Sequence, residues 1–226
     1  WHYVACTRDA LGVERLFVDG KLWTVFAPAN PRIRTDGMFT LGGVRILTAT
    51  WDNLFSGSIA RLRIHEGALS STNVVSNYLE ESNTFGITNA TDSIWQGAAG
   101  TELPWTDSAN WFGGLTGTNN TRVVIDNGGT AVLSSGNLAL ARFSPIQGGL
   151  VISNGASLSV PATAGANVYM GYPASTPFSF VLNEGTFAMP GSANNYLYLG
   201  NGAGCSVNVT VGGGVLPSVM EIDKDV

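Results

Sequence analysis

The chain has 226 residues, room for two modest domains or one long solenoid, with 12% charged residues, 29 glycines and a formal net charge of −5. The acidic balance and the lack of any Lys/Arg cluster leave no electrostatic footprint for a nucleic-acid backbone or an anionic membrane. No apolar run approaches the roughly 20 residues that span a bilayer, and Gly, Ser, Thr and Asn crowd the gaps between short apolar runs, which disfavours long helices and predicts an all-β protein.

The sequence opens on an apparent strand, residues 1–5, with no initiator Met and no signal peptide, and so reads as a start inside a domain. A second strand is expected at 15–18, and Asp19-Gly20 between Val18 and Lys21 is a two-residue hairpin signal. After a Pro-rich loop at 27–32, further strands are expected at 39–43 and 44–47. In the alternating stretch 57–64, Ile59, Leu62 and Ile64 reach a core only with a local irregularity. A short helix follows, with Ser70 or Ser71 as N-cap and Val74, Val75, Tyr78 and Leu79 as its apolar face.

Trp1-His2-Tyr3-Val4-Ala5, Leu16 to Lys21, Leu41-Gly42, Phe55 to Ile59, Arg63-Ile64 and Ala68-Leu69-Ser70, in that order, resemble the laminin-G-like, concanavalin-A-like family. The resemblance covers about the first 80 residues. It implies the C-terminal half of a two-sheet jelly-roll sandwich, glycan or protein partners, and calcium as a candidate cofactor. Ala60 stands where that family has an acidic residue, which puts calcium at that place in doubt. Asp19 and Asp52 are the candidate metal carboxylates, although the hairpin accounts for Asp19 through turn chemistry. Trp51, Asp52 and Asn53, an aromatic face beside oxygen ligands, are the candidate ligand-binding group.

A polar stretch between Glu80 and Ile94 divides the chain into 1–85, a linker 86–93, and 94–226. Trp95, Trp105 and Trp111 open the last part and read as a cap on its core. Gly128, Gly155, Gly185 and Gly214 then recur as a turn column at spacings of 27, 30 and 29, and Leu140, Met170 and Leu199 form a second column at 30 and 29. The period near 29 predicts stacked coils with parallel strands. The run resembles the right-handed β-helix repeats of bacterial autotransporter-associated surface proteins, and the handedness is an implication of that resemblance.

A carboxylate column would mark a polysaccharide-cleaving β-helix. Asp126 and Glu184 instead fall in different columns two coils apart and read as turn formers. His2 and His65 have no nucleophile or metal-ligand companion at diagnostic spacing, and Gly200 to Gly204 is a turn rather than a phosphate loop. Cys6 and Cys205 fall in different parts and read as two small buried thiols. The expectation is a non-enzymatic, secreted or cell-surface adhesion or scaffold protein, with a glycan-binding sandwich on a β-solenoid stalk. Its partner would be a glycan or cell-surface polymer, with self-association through solenoid ends and no membrane insertion. A structural subunit of a fibre or surface layer, and a fragment of a polysaccharide-degrading enzyme, remain the alternatives.

Overall fold

The computed structural model describes residues 1–26, 44–45, 51–52, 54–87, 91–161, 167–172, 177–190, 196–200 and 205–222, with the backbone alone at 44–45, 51–52 and 222. The protein is mostly strand, as expected. Strands β1 (Val4–Arg8), β2 (Glu14–Val18) and β3 (Lys21–Phe26) form an antiparallel sheet in that order. The β2–β3 turn is the Asp19-Gly20 hairpin, and both residues adopt positive φ (50° and 71°), as a two-residue turn matched to strand twist requires. Strands β4 (Val44–Arg45) and β5 (Trp51–Asp52) pair antiparallel. The strands expected over 39–43 and 46–47 lie outside the described residues.

Residues 57–64 are not a strand, and Ile59, Leu62 and Ile64 are exposed. Alternation forms a strand only where a neighbour supplies hydrogen bonds and a layer covers one face, and among the described residues neither is present. The helix does form, as α1 (Ser71–Phe85), with Ser70 Oγ accepting from Asn73 N and Gly86 closing the other end in the left-handed region. Val74, Val75 and Tyr78 are buried, whereas Leu79 is exposed and Ser82 and Glu81 take the buried side. At 100° per residue Leu79 lies beyond the rim of the stripe centred on Tyr78.

The rest of the chain supplies β6 (Ser93–Ile94), β7 (Glu102–Pro104), β8 (Arg122–Leu133), β9 (Asn137–Ala139), β10 (Arg142–Ser153) and β11 (Ser157–Ser159). It continues with β12 (Val168–Met170), β13 (Phe178–Asn183), β14 (Thr186–Met189), β15 (Leu197–Leu199), β16 (Val207–Val211) and β17 (Val219–Ile222). All these strands pair parallel, in three columns. The first holds β6, the leading parts of β8 and β10, then β12 and β15, with Gly171 N donating to Pro145 O at 2.9 Å as the link from β10 to β12. The second holds β7, the trailing parts of β8 and β10, then β13 and β16, and the third holds β9, β11, β14 and β17. The chain visits the three columns in rotation. Inward residues stack like on like, as Leu138, Leu158 and Phe187 do, and Leu158 and Phe187 are fully buried.

The register corrects the glycine alignment. Ile152 pairs with Leu133 on one side and Leu182 on the other, so Gly155 falls at the turn that holds Gly136, and Gly128 belongs to a different position inside β8. The spacing there is 19 residues (133 to 152), followed by 30 (152 to 182) and 29 (182 to 211). Gly128 and Gly155 have positive φ, whereas at Gly185 the preceding Glu184 takes the left-handed conformation, and in the next coil Gly212 and Gly213 do so in place of Gly214. In the second proposed column Met170 and Leu199 do pair, but Leu140 sits in the third strand column, its N–H donating to Ser159 O at 2.9 Å. The Val-Ile-x-Asn-Gly phrase occurs twice, at different places in the ladder, and across the one short coil this mimics a uniform period.

Trp95, Trp105 and Trp111 are all buried, meeting edge to face at centroid distances of 5.1 and 4.9 Å at the start of this core. Trp105 Nε1 donates to Gly117 O and Trp111 Nε1 to Trp105 O, each at 2.7 Å, which satisfies two of the indoles. The antiparallel sheet and α1 lie on the outside of the first parallel column: Phe17, Leu22, Val74 and Val75 share one core with Ile94, Val124 and Ile146. The polar stretch between them is drawn in as well, with Ile87, Asp92 and Ser93 buried.

Candidate functional site

The seam between the antiparallel sheet and the first parallel column gathers the charged side chains. Arg15 on β2 makes a two-point pair with Asp126 on β8, Nε to Oδ2 at 2.8 Å and Nη2 to Oδ1 at 3.1 Å, and also reaches Asp9 at 3.1 Å. Ser71 Oγ donates to Asp126 at 3.3 Å. Farther along, Arg122 Nε donates to Asp92 at 2.7 Å and its Nη2 to Leu22 O, while the other Asp92 oxygen accepts from Leu22 N at 2.8 Å. Arg142 Nη2 donates to Trp23 O at 3.0 Å. The seam thus fastens β2 and β3 to β8 and β10.

Burial raises the carboxyls of Asp126 and Asp92 above the ordinary aspartate value, outweighing the lowering by Arg15 and Arg122. Burial also opposes the charge on Arg15, but Asp126 and Asp9 reverse the balance and raise it. Arg142 is lowered, first by burial and then by the neighbouring charge of Arg122, with Asp92 pulling weakly the other way.

Two grooves flank this seam. One runs past the start of α1 and is lined by Ser70, Ser71, Gln96, Phe112, Asp126 and Asn127, but its carboxylate is already committed to Arg15. The other is a cleft between β3 and the outer face of β10, lined by the apolar Leu22, Val25, Phe143 and Ile146 and by Arg142, Asn167, Tyr169 and Tyr172. Alternation along β12 sends Val168 and Met170 into the core and leaves Tyr169 half-buried outside. Because Tyr169 is in register with Tyr198, the two rings stack at 4.5 Å and 4°. Tyr172 leans against Tyr169 and Tyr196 against Tyr198, both at 5.8 Å. Asn167 holds the array by accepting from Tyr196 N at 2.9 Å and donating to Tyr169 Oη at 3.4 Å.

Of the metal and ligand-binding candidates named from sequence, the structure describes the side chain of Asp19. Asp19 is buried; Oδ1 accepts from Tyr3 N at 2.9 Å and Oδ2 meets His2 Nδ1 at 2.8 Å, so the carboxylate fastens the N-terminal residues onto the hairpin. Trp51 and Asp52 are placed as backbone in β5, with their side chains outside the described residues, and Asn53 lies outside them altogether. Among the described residues no group of three or more His, Cys, Asp or Glu side chains could hold a metal ion.

Asp126 is not a turn residue, as had been expected, but half of the buried pair with Arg15. Glu184 does serve a turn, its Oε1 accepting from Val215 N and from Leu216 N at 3.1 Å. Cys6 is exposed and Cys205 half-buried, not the two buried thiols expected; burial raises both thiols, and Glu14 adds to the shift at Cys6. Arg15, Arg122, Arg142 and the tyrosine row were missed from sequence. Their signal is the run Val123-Val124-Ile125, apolar on both faces, which announces that the outside of this strand is covered too.

No curated protein and no solved structure matches the chain. Residues 1–75 match the family model of the concanavalin A-like lectin/glucanases superfamily, so the first third of the chain is similar to that superfamily.

Proposed function

We propose that this is a non-enzymatic, secreted or cell-surface protein that binds glycans, with its parallel part a right-handed β-helix serving as scaffold or stalk. The observation that carries this reading is the match of residues 1–75 to a superfamily of lectins and glucanases, which is compatible with carbohydrate binding. The binding role is favoured over a polysaccharide-cleaving β-helix because Asp126 and Glu184, the carboxylates of the parallel part weighed for that role, are each spent on structural bonds. A glycan array probed with the intact chain, with and without calcium, tests it: saturable binding to a set of related glycans is expected. A silent array with folded protein would overturn the reading, and release of reducing ends from polysaccharide pools would overturn its non-enzymatic part.

A second reading, self-association through the parallel strands, is favoured by the apolar exposure of Val209, Val211, Val219 and Met220 on β16 and β17. Its expected outcome is mass that grows with concentration in light scattering, and a monomer throughout would dismiss it.

A further inference from the structure

The tyrosine-lined cleft beside β3 holds the one arginine of the seam that is not spent on a carboxylate. Arg122 meets Asp92 at 2.7 Å and Arg15 meets Asp126 at 2.8 Å, whereas Arg142 donates to the neutral carbonyl of Trp23 and among the described residues no carboxylate lies within ion-pair distance of it. Two guanidiniums, Arg122 and Arg142, therefore share the field of one carboxylate, a local surplus of positive charge in a chain of net charge −5. Arg142 itself is half-buried, so its charge is less screened than one on the open surface.

The same cleft carries an aromatic face. Tyr169 is fixed by its stack on Tyr198 and by Asn167, so ordering it against a ligand loses little side-chain freedom. Ser144, Thr24 and Asn167 add hydroxyl and amide groups to the lining. An inorganic anion would use Arg142 and leave the rings idle, and a neutral sugar would use the rings and leave the charge idle. A sugar ring bearing a carboxylate uses both, because C–H faces pack on tyrosine while a guanidinium grips a carboxylate at two points.

We propose that the cleft between β3 and the outer face of β10 and β12 binds an acidic saccharide, with Tyr169 and Tyr172 against the sugar ring and Arg142 on its carboxylate. The assignment rests on the glycan-binding reading and adds the ligand class and the place.

The test uses the intact chain on an array of uronate and sialate oligosaccharides printed beside matched neutral ones, followed by calorimetric titration of the best acidic hit and of sodium sulfate. Acidic glycans are expected to bind at least tenfold tighter than neutral partners, with sulfate alone far weaker. Arg142→Gln, which keeps a donor for Trp23 O, is expected to abolish the preference for acid. Tyr169→Ala is expected to weaken every glycan about tenfold and to leave sulfate unchanged. Melting curves verify that each variant is folded, and Arg142→Lys, which keeps the charge, should retain part of the preference. Equal binding of acidic and neutral glycans, sulfate as good as uronate, or unchanged affinity in folded Arg142→Gln and Tyr169→Ala would each overturn the site. In those cases glycan binding itself would stand, whereas a silent array would remove both.

Discussion

Arg15 and Asp126, 111 positions apart, face each other across the seam in a two-point pair with both side chains largely out of solvent. A buried pair adds little net stability over an apolar replacement, but removing one partner strands the other charge. Arg15→Met is therefore expected to destabilise the protein by about 3 kcal/mol, the lower end for a broken buried pair because Ser71 Oγ still donates to the stranded Asp126 carboxylate. Denaturant unfolding measures this, and a loss below about 1 kcal/mol would mean the pair behaves as a surface one.

Acid should act on this seam in the less usual direction. The folded carboxyls of Asp92 and Asp126 sit above their ordinary value, so the folded state takes up their protons more readily than the unfolded chain does. Stability contributed by these groups therefore rises as pH falls from above the raised folded value toward the unfolded value near about 3.9. Relative to the Asp92→Asn, Asp126→Asn double variant, the parent is expected to gain stability between neutral pH and pH of about 4. A margin that shrinks over that window would show that the arginines, rather than burial, dominate.

Two glycines of the turn column separate conformational from steric demand. At Gly155, φ is +76° with open space around the missing Cβ, so Gly155→Ala meets only the left-handed penalty, about 1 kcal/mol. Gly185 has an ordinary φ, but a Cβ there would strike the carbonyl of Ile152 on the neighbouring strand. Gly185→Ala must therefore push β10 and β13 apart and is expected to lose more, toward the top of about 1–3 kcal/mol. Thermal melts of the two variants rank them, and the reverse order would refute the close approach.

The hairpin, the helix with its Ser70 cap and the β-rich parallel part were legible because each rests on local signals: turn chemistry, capping and repeated apolar phrases. The coil lengths were not, because a phrase ending in Asn127-Gly128 imitates Asn154-Gly155 while occupying a different place in the ladder, and only pairing distinguishes them. Nor could local pattern place residues 59–64, whose alternation lacks a partner strand among the described residues. The charged seam was hidden for a related reason: Arg15, Asp92, Arg122 and Asp126 acquire their meaning only when β2 and β3 lie on β8. Tyr169 and Tyr198 are different, since their recurrence 29 positions apart in Val-Tyr-Met and Leu-Tyr-Leu is readable in the sequence and lies in the same phrases as Met170 and Leu199.

The shared core of the seam sets the cooperativity of the whole chain. Leu158, fully buried between Leu138 and Phe187, belongs to the parallel core, and Leu158→Ala is expected to lose about 2–5 kcal/mol by transfer and cavity effects. Phe17 and Leu22 lie at the other end of the packing chain, yet they rest on Ile94, Val124 and Ile146, residues of the parallel strands themselves. Loss of those strands would expose this apolar surface, so the antiparallel sheet and α1 should unfold with the parallel part rather than after it. Near-ultraviolet circular dichroism and tryptophan fluorescence report on both parts, and in Leu158→Ala the two signals are expected to shift together to one lower midpoint. Two separated transitions, with the hairpin surviving the loss of the parallel core, would show instead that the seam is a contact between independently stable units.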